Sequence, residues 1–176
     1  MTPTTKSAVH DIPISPAEIV SRGIMTQEDW DSCAEAAKAL FLFGSKTASA
    51  RGLILVDTKY EFGRDPMTGN ILLCDELHTP DSSRFWLKAS YASRFAKGEE
   101  PANIDKEFLR RWVRERCDSY KDGVLPEVPP DLLNELSRRY VFLFKLITGK
   151  RFRFFSTSDD HHTKTLRKAH EAGQLC

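Results

Sequence analysis

The sequence predicts an α+β fold in which an antiparallel β-hairpin carries the candidate site and several helices pack around it. Three observations carry that expectation. An apolar run, Leu53 to Val56, passes into the alternating segment Asp57-Thr58-Lys59-Tyr60-Glu61-Phe62, the pattern of a half-buried strand. A stretch dense in turn formers, Asp65 to Asn70, then leads into a second apolar run from Ile71 to Leu77, which completes a hairpin. On either side lie segments whose apolar residues recur at helical spacing.

The elements follow in order. Residues 1–9 are polar and are expected to be loose. Ser15-Pro16-Ala17-Glu18 has the form of a helix start, with a Ser cap, Pro in the first turn and Glu placed for a capping box. A short helix to about Arg22 follows. Thr26 caps a longer helix through about Ala50, with Trp30, Ala34, Ala37, Leu40, Phe41 and Ala48 expected to face the core. After the hairpin, Thr79-Pro80-Asp81-Ser82-Ser83-Arg84 reads as an ordered loop, because Pro80 and the Asp-Ser-Ser run suit turns. Leu87 to Ala102 reads as a polar loop. Asp105 to Cys117 is helical, with an apolar stripe of Phe108, Leu109, Trp112 and Val113 and a solvated face of arginines. Pro126, Pro129 and Pro130 deliver Asp131 as the cap of a last helix to Thr148, which Gly149 ends. Residues 152–176 read as an extension of unknown role. Within them His161-His162 lacks the spacing of a helical metal pair.

Composition bounds the class. At 176 residues and 20.0 kDa the chain is long enough for one domain with a real core and too short for two comfortable ones. A formal net charge of +1 gives no global electrostatic case for nucleic acid or an anionic membrane. Cys33, Cys74, Cys117 and Cys176 stand far apart, without metal-type or redox-type pairing. No stretch has the length of a membrane span, and the N-terminus has no signal-peptide apolar segment. A soluble cytoplasmic protein is the expectation.

The chemistry concentrates between Asp57 and Arg84. Side chains alternate along a strand, so Asp57, Lys59 and Glu61 share one face. With the hairpin folding about Thr68, Asp75 lies directly opposite Glu61. Like charges there repel unless a cation mediates, and Mg²⁺, which takes one or two carboxylates with water and phosphate oxygens, suits the place. Solvated strand residues in another register fit the same residues. Ser82, Ser83 and Arg84 offer two hydroxyls and a guanidinium to a phosphate. An ordinary Asp/Ser turn with an exposed Arg fits them as well, and the residues alone leave both questions open.

Taken together the motifs resemble a known family. Asp57-Thr58-Lys59-Tyr60-Glu61-Phe62-Gly63, then Asp75-Glu76, then Thr79-Pro80-Asp81-Ser82-Ser83-Arg84-Phe85-Trp86 are similar to phosphoribosylaminoimidazole-succinocarboxamide synthase (SAICAR synthetase) of purine biosynthesis. His10-Asp11 with Ile14-Ser15-Pro16 looks like the motif before them, and Asp105-Lys106-Glu107-Phe108-Leu109-Arg110-Arg111-Trp112 like the one after. The order and spacing match over roughly residues 8–151.

The resemblance implies an ATP- and Mg²⁺-dependent ligase joining carboxyaminoimidazole ribonucleotide to L-aspartate. Glu61 and Asp75 would hold Mg²⁺ beside the ATP phosphates, and Lys59 would neutralise charge on the transferring or substrate groups. Asp57 would bind ribose hydroxyls. Ser83 and Arg84, with Ser82, would grip the ribonucleotide phosphate, and Asp81 would orient their loop. Family members are longer and open with a separate nucleotide-covering lobe, which nothing upstream of His10 resembles. The chain is therefore expected to be a truncated or split form, with the lobe as a possible separate polypeptide. Two alternatives are a non-catalytic nucleotide- or phosphate-binding remnant and an inositol-phosphate-type kinase. The Glu61-Phe62-Gly63 continuation and the Thr79–Trp86 block speak against the kinase.

Overall fold

A computed structural model describes residues 1–5, 11–118 and 124–153. His10, His161-His162 and most of the 152–176 extension lie outside the described residues. The element order is α1 (Pro16–Ser21), α2 (Gln27–Ala50), β1 (Leu53–Thr58), β2 (Glu61–Arg64), β3 (Ile71–Cys74), β4 (Ser83–Leu87), α3 (Lys88–Ala96), α4 (Glu107–Arg114) and α5 (Pro130–Thr148). The strands form two antiparallel pairs, β1 with β4 and β2 with β3, so the fold is α+β.

The helix starts form as their sequences dictate. The Ser15 hydroxyl accepts from the Glu18 backbone N–H while the Glu18 carboxylate accepts from the Ser15 N–H, a complete capping box. Thr26 accepts from the Asp29 N–H at 3.1 Å and caps α2. At the other end of the chain Gly149 adopts φ 68° and stops α5. Pro129, not Asp131, is the N-cap of α5. Asp131 sits in the first turn, where its charge complements the helix dipole.

The core lies between α2, the β1–β4 pair and α5. Ala48, Leu53, Leu55, Phe85, Ile104 and Leu143 form its buried cluster. Leu53 and Leu55 point inward on alternate positions of β1 and pair with Leu87 and Phe85. Phe41, assigned to the core stripe by its spacing, is exposed instead, as are its neighbours Leu42 and Phe43.

Three further expectations need correction. Residues 1–5 are not wholly loose: Thr5 donates to the Ile12 carbonyl at 2.9 Å and Ile14 to Pro3 at 3.0 Å. Residues 88–96 are the helix α3 rather than a polar loop. Its Tyr91 and Phe95 stack one turn apart and Tyr91 stacks on Trp86, contacts that stabilise a short helix without a side-chain cap. Finally, 57–62 is not one strand. β1 ends at Thr58, Lys59 donates its N–H to Ser82, and β2 begins at Glu61.

A bulge in β1 matters most for the site. Leu55 pairs with Phe85, yet Asp57 pairs with Arg84, so β1 carries one extra residue there. Without it Asp57 would fall on the same inward face as Leu53 and Leu55. The bulge turns Asp57 outward to meet Arg84 and brings Thr58 opposite Ser83.

His78 explains a glycine in the middle of a helix. Gly in a helix interior costs about 0.5–1 kcal/mol relative to Ala, yet Gly44 sits buried in α2. A Cβ there would lie 2.4 Å from the His78 ring. His78 itself has φ 55° and bonds Tyr60 Oη at 2.6 Å through Nε2, and burial pushes its imidazole pKa down. Gly44→Ala is expected to lower stability by about 1–3 kcal/mol through overpacking, read from urea denaturation. Unchanged or raised stability would show that the ring yields freely.

Candidate functional site

A cleft of about 740 Å³ opens beside the end of the β1–β4 pair. Its lining brings together Asp57, Lys59, Asp75, Asp81, Ser82, Ser83 and Arg84 from the sequence reading, with Thr58, Glu76, Asp105, Lys106, Glu107, Arg110 and Arg114 added. Glu61 is the one candidate that does not line it.

Asp57 and Arg84 face each other across the strand pair. Arg84 Nε donates to both carboxylate oxygens of Asp57, at 2.9 and 3.1 Å, and Nη2 joins them. The guanidinium holds the Asp57 carboxyl below the usual carboxylate range. This fork uses one edge of the guanidinium, and Nη1 has no hydrogen-bond partner among the described residues. Asp57 thereby fixes where Arg84 points.

Ser83 and Arg84 are adjacent in β4 and turn to opposite faces. Ser83 is only 4% exposed and donates to Thr58 Oγ1 at 2.8 Å. The loop reading of residues 79–84 therefore holds only as far as Ser82; Ser83 and Arg84 both line the cleft, with their side chains leaving β4 on opposite faces. Ser82 serves the loop itself, accepting from the Thr79 N–H at 3.1 Å. Thr79 Oγ1 in turn accepts from the N–H groups of Asp81 and Ser82.

Lys59 lies between two carboxylates, 2.9 Å from Asp11 Oδ2 and 2.8 Å from Glu61 Oε1. Hydrogen bonds to Glu61 and then Asp11 push its pKa above the ordinary lysine value. It is a fixed positive charge at neutral pH. Asp11, from the first of the five motifs, thus reaches the site although its place in the sequence gave it no role.

The hairpin register differs from the expected one. Cys74, not Asp75, pairs with Glu61, because the 65–70 turn places its centre half a residue earlier than Thr68. There Asp65 accepts from Met67 N–H and Thr68 Oγ1, and Gly69 takes φ 73°. Asp75 leaves the ladder in a left-handed conformation, φ 65°, and is exposed. The described residues contain no group of three His, Cys, Asp or Glu side chains gathered for a metal. Mg²⁺ bound with a nucleotide needs fewer, since phosphates and water complete its shell. The cleft lining offers carboxylates of that chemical type in Asp75 and Glu76, while Glu61 stands beside it, 2.8 Å from Lys59.

Asp81 ties the loop to the rest of the fold. Its Oδ1 accepts from Lys106 Nζ at 2.7 Å and from Tyr140 Oη at 2.5 Å, which hold its carboxyl below the ordinary range. Asp105 is 2% exposed and joins β4 to the start of α4, accepting from the N–H groups of Phe85 and Glu107. In the sequence Lys106 is marked only by its motif, and no motif marks Tyr140. A cross-chain bond from a tyrosine 59 residues away leaves no local pattern to read. A second cleft of about 380 Å³ lies between Arg94, Glu100, Phe108, Arg111 and Arg139. It contains none of the predicted residues.

Comparison with known proteins adds the family. The SAICAR synthetase family model matches residues 1–126. The phosphoribosylaminoimidazole-succinocarboxamide synthase, chloroplastic, of Arabidopsis thaliana is 54% identical over 172 residues, covering 98% of this chain and 42% of its own length. That match extends well into residues 152–176. The structure of SAICAR-synthase from Saccharomyces cerevisiae complexed with SAICAR is 34% identical, with a TM-score of 0.65 over 82% of this chain and 46% of that one. A SAICAR synthetase (Type-2) in complex with ADP is 26% identical, with a TM-score of 0.58 over 82% of this chain and 48% of that one. The chain thus spans less than half the length of these proteins. It belongs to the SAICAR synthetase family.

Proposed function

We propose that these residues form the substrate-facing part of an ATP- and Mg²⁺-dependent ligase that joins carboxyaminoimidazole ribonucleotide to L-aspartate. The observation that carries the reading is the Asp57–Arg84 fork at the edge of a cleft lined with both acids and cations. Since the chain spans less than half of its relatives' length, the activity is proposed for these residues within a complete family fold. The SAICAR and ADP complexes of the relatives support the substrate and nucleotide classes.

The reaction asks for positioning and charge compensation. The substrate carboxylate takes the γ-phosphoryl group of ATP and ADP leaves. The aspartate amine then attacks the acyl carbon, and inorganic phosphate departs as the C–N bond forms. No protein nucleophile is required, and electrostatic stabilisation and orientation supply most of the acceleration. Arg84, oriented by Asp57, would receive the ribonucleotide phosphate, with Ser82 and Ser83 shaping the loop beneath it. Asp81 would present its second carboxylate oxygen to the substrate. Lys59 would compensate charge near the reacting carboxylate without exchanging a proton. Mg²⁺ would be held by Glu61 and Asp75 and would offset phosphate charge.

Calorimetry with Mg·ATP tests the nucleotide side. Removing Glu61 leaves Lys59 with one carboxylate fewer, which by itself favours anions. The telling quantity is therefore the Mg²⁺-dependence of binding. Glu61→Ala is expected to abolish it, and a mutant as responsive to Mg²⁺ as the parent would contradict the assignment. ADP release that requires aspartate then separates ligation from binding without turnover.

A further inference from the structure

We propose that Tyr140 is a positioning residue for substrate binding: its hydroxyl, together with Lys106, fixes the Asp81 carboxylate so that Oδ2 faces the cleft. The inference rests on the reading of Asp81 as a substrate contact. Tyr140 lies in α5, beyond the residues that the family model matches, and no sequence motif singles it out.

The geometry is specific. Tyr140 Oη and Lys106 Nζ both donate to Oδ1 of Asp81, at 2.5 and 2.7 Å. Oδ2 has no hydrogen-bond partner among the described residues, and Asp81 lines the cleft. Two donors arriving from different elements, one preceding α4 and one from α5, restrict both rotation and translation of the carboxylate. A single donor would leave it free to swing. Burial and the neighbouring Asp81 carboxylate push the phenol pKa up, so Tyr140 remains a donor throughout the neutral range. Arg110 on α4 and Glu76 on the same loop are the other charged groups that bear on this pair, the first favouring ionised Asp81 and the second raising the Tyr140 pKa.

The loop is held at its other end by His78 in the notch over Gly44. Tyr140 therefore completes a two-point attachment, at His78 and at Asp81, with Thr79 and Pro80 between them. Loss of one attachment is expected to show as weaker binding of the substrate-like ligand with the fold intact.

The test is calorimetric titration of SAICAR into the full chain and into Tyr140→Phe, across pH, beside a thermal melt of each. Tyr140→Phe is expected to weaken SAICAR about three- to tenfold. It also removes a donor that favours ionised Asp81, so the acid limb of the binding profile is expected to move to higher pH. A merely structural tyrosine would change the melt and the affinity but not the acid limb, and that pattern would overturn the proposal. An unchanged affinity and acid limb in a folded Tyr140→Phe would also overturn it. Asp81→Asn separates this from the parent reading. If Asp81→Asn binds SAICAR as well as the parent does, the substrate role of Asp81 fails; if Asp81→Asn alone weakens binding, only the role of Tyr140 fails.

Discussion

Arg84→Ala is expected to weaken binding of a phosphorylated ribonucleotide by about a hundredfold or more. Truncating one member of a charge pair that meets an anion costs on the order of 2–5 kcal/mol, and here two effects add. The phosphate loses a guanidinium already oriented by Asp57. The Asp57 carboxylate, released from its partner, then adds a negative charge to the cleft wall. Arg84→Lys is expected to recover only part of the loss, since an ammonium cannot make the two-pronged bond to Asp57. Calorimetry with SAICAR reads both variants. Equal affinity in Arg84→Ala and the parent would show that the anion is held elsewhere.

The largest effect on stability is expected one residue further along. Phe85 is 1% exposed and packs among Leu53, Leu55, Ile104 and Leu143. Replacing a buried phenylalanine by alanine costs about 3–5 kcal/mol in lost transfer energy and cavity formation. Domains of this size hold only about 5–15 kcal/mol in total. Phe85→Ala is therefore expected to shift the urea midpoint sharply downward and to leave a marginal fold. A change below about 1 kcal/mol would mean that α5 collapses into the gap. Because Arg84 and Phe85 share β4, function and stability meet in this strand on opposite faces.

Local chemistry made much of this legible. The capping box at Ser15 and Glu18, the Thr26 cap, the helical stripe ending at Gly149 and the turn at Asp65–Asn70 depend on neighbouring residues, and they formed as written. The pairing of strands did not. Nothing short-range marks β1 for β4 rather than for the next apolar run, and the bulge after Leu55 is one residue whose effect appears only when a partner strand is present. That single residue reversed the facing of Asp57. The half-residue shift at the hairpin likewise exchanged Cys74 for Asp75 opposite Glu61. Helix α3 was hidden because Lys88–Ala96 has neither a side-chain cap nor a strong apolar face. Its aromatic ladder runs back onto Trp86 of β4.

The cleft was legible in which residues line it and not in how they pair. The seven candidates that line it stand at motif positions, yet the partners of Lys59 and Asp81, namely Asp11, Lys106 and Tyr140, arrive from 25 to 59 residues away. Such bonds depend on the closed fold. Asp75 and His78 both have positive φ. His78 is held there by Tyr60 and by the notch over Gly44, while Asp75 is exposed; Asp and His are among the non-glycine residues that adopt this conformation most readily.

Nuclear magnetic resonance titration of the isotope-labelled chain with SAICAR locates the ligand directly. Amide signals of residues 57–59, 79–84 and 105–107 are expected to shift together and to saturate with one affinity. Shifts confined to the neighbourhood of Arg94, Arg111 and Arg139, with the Asp57–Arg84 segment unmoved, would contradict the assignment of the cleft.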